Sequence, residues 1–74
     1  MLNVPAAPDG RDLRRRRRSL DLPQRAVASR LGIARQRINA AERNGLGATA
    51  SLRARISAAL DALEAEQAAA QAPH

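Results

Sequence analysis

The sequence predicts an all-α fold: a small bundle of four helices, or five if the end of the chain forms one of its own. Three observations carry this. Strand signals are lacking, since β-branched residues are few and aromatic residues absent. In the last third, Leu52, Ile56, Leu60, Leu63 and Gln67 recur at helical spacing, one amphipathic stripe. Between them and the N-terminal part lies Gln24–Arg43, two short helical stretches that meet at Gly32. The rest of the chain frames that unit.

Taken in order, Met1–Pro8 reads as a flexible or extended tail, because Pro5 and Pro8 break helix and nothing alternates. Asp9 is a suitable N-cap for a first helix to about Ser19. Five consecutive arginines, Arg14 to Arg18, lie on it. Successive helical residues step around the axis, so these cannot all face one side, and some must lay their stems along the core edge. Leu13, Leu20 and Leu22 anchor the segment, and Asp21 tolerates a turn. Pro23 opens a second helix to Leu31, with Ala26 or Val27 and Leu31 as its buried stripe. Gly32 ends it in a left-handed conformation. A third helix runs from Ala34 or Arg35 to about Arg43, with Ile38 and Ala41 inward and Asn44-Gly45 closing it. Arg35, Gln36, Asn39 and Ala40 share its outer face. After a loop, Thr49 is the candidate N-cap of a last helix with no Gly or Pro until Pro73.

Seventy-four residues make one domain. A chain this short buries only about 60% of its unfolded surface, so pairing with a second copy would help. Cys is absent and the single His is His74, so no metal site, disulfide or cofactor is expected. The net charge is +6, and every basic residue is Arg. It is lopsided: residues 1–43 hold eleven Arg against four acids, +7, and residues 44–74 hold two against three, −1. A basic half on a neutral half suggests a face for a polyanion and a separate packing face. No apolar run approaches the roughly 20 residues that span a bilayer, and the N-terminus has no signal-peptide core. A cytoplasmic protein is expected.

The pattern Leu22-Pro23-Gln24, Val27-Ala28, Leu31-Gly32-Ile33, Ile38, and Glu42-Arg43 before Asn44-Gly45 resembles the helix-turn-helix of the Cro/phage-repressor, or xenobiotic-response-element (XRE), family. The resemblance implies a lambda-repressor-like bundle that reads double-stranded DNA. It implies base reading by Arg35, Gln36 and Asn39, with Ala40 beside them. Gln24 is similar to a Gln that clamps a phosphate and steadies the first reading residue. Arg37 and Arg43, with Arg25 and Asn44, form the expected DNA-backbone set. Arg17 and Glu42 match a buried ion pair between the first helix and the end of the third. The chain departs from the pattern at Ala34, where Ser or Thr is usual, at the small Ala41, and in running its fourth helix straight through Leu60–Leu63. The organisation expected is a tail over 1–8, a DNA-binding domain over 9–60, and a helix extension with a tail over 61–74.

No catalytic set is present: the serines lack a base partner, and Asp61, Glu64 and Glu66 read as a solvated helix face. An enzyme is not expected. Single-stranded RNA binders stack bases on aromatic rings, and this chain has none. Hydrogen-bond reading of duplex DNA by Arg, Gln and Asn suits the inventory better. The expected function is a small dimeric repressor of its own or a neighbouring operon, on an inverted-repeat operator at the nucleoid. Its homodimer seam would use Ala59, Leu60, Leu63 and Gln67. Two other readings remain: an antitoxin or interaction module whose Ala-rich last helix meets a protein partner, and an RNA-binding peptide using Arg14–Arg18.

Overall fold

The computed structural model describes residues 8–45 and 48–72. The expected tail up to residue 7, the loop residues Leu46 and Gly47, and Pro73 and His74 lie outside the described residues. Among the described residues, four helices follow in order: α1 (Gly10–Ser19), α2 (Gln24–Leu31), α3 (Arg35–Glu42) and α4 (Ala50–Gln71). Among the described residues there is no strand. The stretch Leu60–Leu63 continues α4 without a break, so no fifth helix forms there. Among the described residues, no helix is long and apolar enough to cross a membrane.

Local chemistry sets the helix ends. The Asp9 carboxylate accepts from the Arg11 amide at 3.2 Å, and the Thr49 hydroxyl accepts from the Leu52 amide at 3.0 Å. The three short helices all end in one way. Asp21 (φ 55°), Gly32 (φ 67°) and Asn44 (φ 54°) sit in the left-handed region. The residue after each donates its amide back to the last turn: Leu22 to Arg17 O, Ile33 to Ala28 O, and Gly45 to Ala40 O, at 2.8–3.1 Å. This satisfies carbonyls that the helix leaves orphaned.

The core is aliphatic. Leu13, Val27, Ala28, Ile38, Ala41, Leu52, Ile56, Ala59 and Leu60 are buried together, and Leu20, Leu22, Leu31, Ile33, Ala48 and Leu63 pack around them. Ala26 is only half-buried, so Val27 supplies the inward position of α2. The small Ala41 is covered by the start of α1. A Cβ on Gly10 would lie 2.3 Å from Ala41 O and 2.7 Å from Glu42 O, so only glycine permits that approach.

Two residues of the expected dimer seam lie inside the fold. Leu60 is fully buried and Ala59 is 5% exposed, so both close the chain's own core. The reason is length: α4 stays packed well past residue 60. Leu63 rests on the same core, and Gln67 Nε2 donates to Leu20 O, at the end of α1, at 2.8 Å. Asp61 and Glu66 are also engaged. Arg16 bonds the Ser57 hydroxyl at 2.9 Å and pairs with Asp61, and Arg30 pairs with Glu66 at 2.6 Å. Past position 60, Leu63 and Gln67 therefore still seat α4 on the body of the domain.

Candidate nucleic-acid interface

Gly32 fixes the angle between α2 and α3, and that angle aims the outer face of α3. Ile38, Ala41 and Glu42 point inward and are buried. Arg35, Gln36, Arg37 and Arg43 are exposed, and Asn39 and Ala40 are half-buried beside them. Ala34 gives α3 no side-chain cap, so the first turn keeps amide groups open toward solvent.

A buried ion pair underlies this face. Arg17 Nε and Nη2 donate to the two oxygens of Glu42 at 2.6 and 2.9 Å, and Arg17 Nη1 donates to Leu22 O at 2.8 Å. The side chains are 11% and 2% exposed, respectively. The bidentate fork is the strong geometry for this pair. Glu42 also accepts from Gln24 Nε2 at 3.2 Å, and the same Gln24 nitrogen donates to Asn39 Oδ1 at 3.1 Å. Gln24 Oε1 accepts from Arg35 Nη1 at 3.2 Å. The chain of contacts thus runs Arg17, Glu42, Gln24, then Asn39 and Arg35. Among the described residues, no buried side-chain polar atom lacks a partner.

Two residues expected at the DNA backbone are also bonded within the chain. Gln24, expected to clamp a phosphate and steady the first reading residue, has both ends of its amide engaged, with Arg35 on one side and Asn39 and Glu42 on the other. Asn44 is engaged at the start of α1. Its Nδ2 donates to Asp9 Oδ1 at 3.0 Å and its Oδ1 accepts from the Gly10 amide at 3.3 Å. It therefore clasps the start of α1 to the end of α3. The Asn44 bond, then the Arg11 amide, hold the Asp9 carboxyl below its ordinary value of 3.8. Arg53 completes the clasp, donating to Pro8 O at 3.0 Å and Ala48 O at 2.9 Å. The sequence reading missed Gly10, Arg16 and Arg53. Gly10 offered one signal: a glycine inside a helix start is unfavourable without a packing reason.

Arg25 is exposed in the first turn of α2. Arg43 lines a cleft of about 340 Å³ together with Arg14, Arg17, Arg18, Gln24, Asn39 and Glu42. Its rim is cationic, since Glu42 is already neutralised by Arg17. Compact forks of this kind match phosphate oxygens. The arrangement offers hydrogen-bond donors and acceptors on an exposed helix, flanked by arginines, over a rigid polar network. A family model described as helix-turn-helix matches residues 13–65 of the chain. No curated protein matches, and no solved structure matches.

Proposed function

We propose, from the premise that this chain belongs to the Cro/repressor-type, XRE-like helix-turn-helix family of DNA-binding transcription regulators, that it is a small repressor reading an inverted-repeat operator in its own or a neighbouring operon. It would act in the cytoplasm, at the nucleoid. The family is one of DNA-binding domains rather than enzymes. Residues 9–67 form the reading unit, two copies of which occupy the operator. The observation that carries the reading is the Gln24 bridge. It holds Arg35 and Asn39 at fixed positions on an exposed helix before any ligand arrives, which suits direct reading of base edges. Arg35, Gln36 and Asn39 read donors and acceptors in the major groove. Ala40 makes apolar contact beside them. Arg25, Arg37 and Arg43 hold phosphates, which fix register without reading sequence.

The test is Arg35→Ala, measured on operator and on random duplex DNA. A bidentate Arg–guanine contact provides about 1–3 kcal/mol of discrimination. The variant should lose that much on operator and little on random DNA. Equal losses on both would place Arg35 on the backbone and remove it from the reading set.

A further inference from the structure

The five-arginine run divides into two groups. Arg16 is engaged with Ser57 and Asp61, and Arg17 with Glu42 and Leu22 O. Arg14, Arg15 and Arg18 are exposed, and Arg11 joins them. Positions 11, 14, 15 and 18 share one helical face, three to four residues apart. They line a shallow groove of about 390 Å³. Arg14 and Arg18 also line the cleft that holds Asn39 and Arg43. The α1 groove is therefore continuous with the surface beside the recognition helix. Asp12 lies 3.5 Å from Arg15 in an exposed pair, the weak kind that an incoming phosphate displaces, and Asp9 lies near Arg11.

We propose that Arg11, Arg14, Arg15 and Arg18 form a second phosphate-binding track, seating the backbone of the same duplex whose bases α3 reads. This rests on the DNA-binding reading above. Three observations favour the same duplex over a separate RNA. The two grooves share Arg14 and Arg18. Arg43 lines the cleft on the recognition-helix side of Arg14 and Arg18. The chain carries no aromatic ring on which unpaired bases could stack. From Arg11 to Arg18 the face extends about 10 Å along the helix, enough for about two phosphates of one strand. Guanidinium forks bind such oxygens in two-point contacts that need no base information. The track enlarges the footprint beyond the base-reading helix and raises affinity for all sequences alike.

The experiment compares the full chain with Arg11→Gln/Arg15→Gln, the pair that lines the α1 groove but not the cleft beside α3. A control, Arg30→Gln/Arg55→Gln, removes the same charge away from both grooves. Binding to operator and random duplex is measured across salt, with ethylation interference to map phosphates. The variant should lose about 1.8 from the magnitude of the log K against log salt slope, about 0.9 per phosphate. It should lose interference at about two phosphates outside the base-contacted set. Its operator-to-random ratio should not change, and its thermal melt should match the parent's because both side chains are exposed. A variant whose slope and interference map equal the control's overturns the track while the DNA reading stands. A variant that loses binding to duplex RNA but not to DNA overturns it too, in favour of an RNA surface. A parent that binds no duplex DNA overturns both.

Discussion

Glu42 ties α1 and α2 to the end of α3 beneath the proposed interface. It accepts both arms of Arg17 and the amide of Gln24 from a position 4% exposed. Its removal leaves the Arg17 charge in a poorly solvated place, a change that costs about 3–5 kcal/mol when one partner of a buried pair is lost. A domain of this size has about 4–11 kcal/mol in total. Glu42→Ala should therefore be largely unfolded near its parent's midpoint, read by far-ultraviolet circular dichroism; a midpoint within a few degrees of the parent would show the pair to be dispensable. Gly10 yields an opposed sign. In an open helix Gly→Ala gains about 1 kcal/mol. Here the new Cβ meets two backbone carbonyl oxygens at 2.3 and 2.7 Å, and backbone cannot rotate away as a side chain can. Overpacking of about 1–3 kcal/mol should exceed the propensity gain. Gly10→Ala should lower the denaturant midpoint, and a higher midpoint would mean that α1 slides freely off α3. These two residues differ in legibility. Glu42 stood out because its partner lay at a recognisable position in the same motif. Gly10 did not, because its reason is a close approach between segments about thirty residues apart, which no local pattern encodes.

Helix boundaries were readable because their signals are local. Asp9, Asp21, Gly32, Asn44 and Thr49 each act within a few residues of themselves, through a cap or a left-handed turn. The far part of α4 was not readable in the same way. Its apolar stripe announced a buried face but not what covers it, and the cover is the chain's own α1 and α2. Polar ties show how this end is fastened. Gln67 supplies a donor to Leu20 O from a half-buried position, and a net hydrogen bond of this kind contributes about 0.5–1.5 kcal/mol. The Arg30–Glu66 pair is closer at 2.6 Å but about half exposed on both sides, and exposed pairs contribute about 0–1 kcal/mol. Gln67→Ala should thus lower stability measurably in a urea titration, and Glu66→Ala should change it little. The reverse ranking would show that the end of α4 is held by charge and not by its seat on α1. The Gln24 bridge belongs with this lesson. The family pattern marks the position, but the side chain's partners, Arg35, Asn39 and Glu42, follow from how α2 and α3 cross.

At the scale of the whole molecule the open matter is pairing. One recognition helix covers only a few base pairs, too few for a useful specificity ratio. Two copies over an inverted repeat, with recognition helices about 34 Å apart, would supply it. The apolar side chains expected to hold those copies together are used inside each one: Ala59 and Leu60 are buried, and Leu63 packs on the same core. Burial of an extended stripe is what makes obligate homodimers, and among the described residues that stripe already has its cover. On the proposed reading the operator would do the joining. Two half-sites on one duplex place the copies side by side, so a weak contact acts at high effective concentration. The expected outcome is a single chain in sedimentation at micromolar concentration, and two chains on a duplex with both half-sites. Leu63→Glu should leave the mass of the free chain unchanged. On a duplex with one half-site, affinity should fall toward the value for a single domain, because the second copy no longer contributes. A free chain that sediments as a dimer, and becomes a monomer on Leu63→Glu, would return the seam to α4 and show that its far end serves two purposes at once.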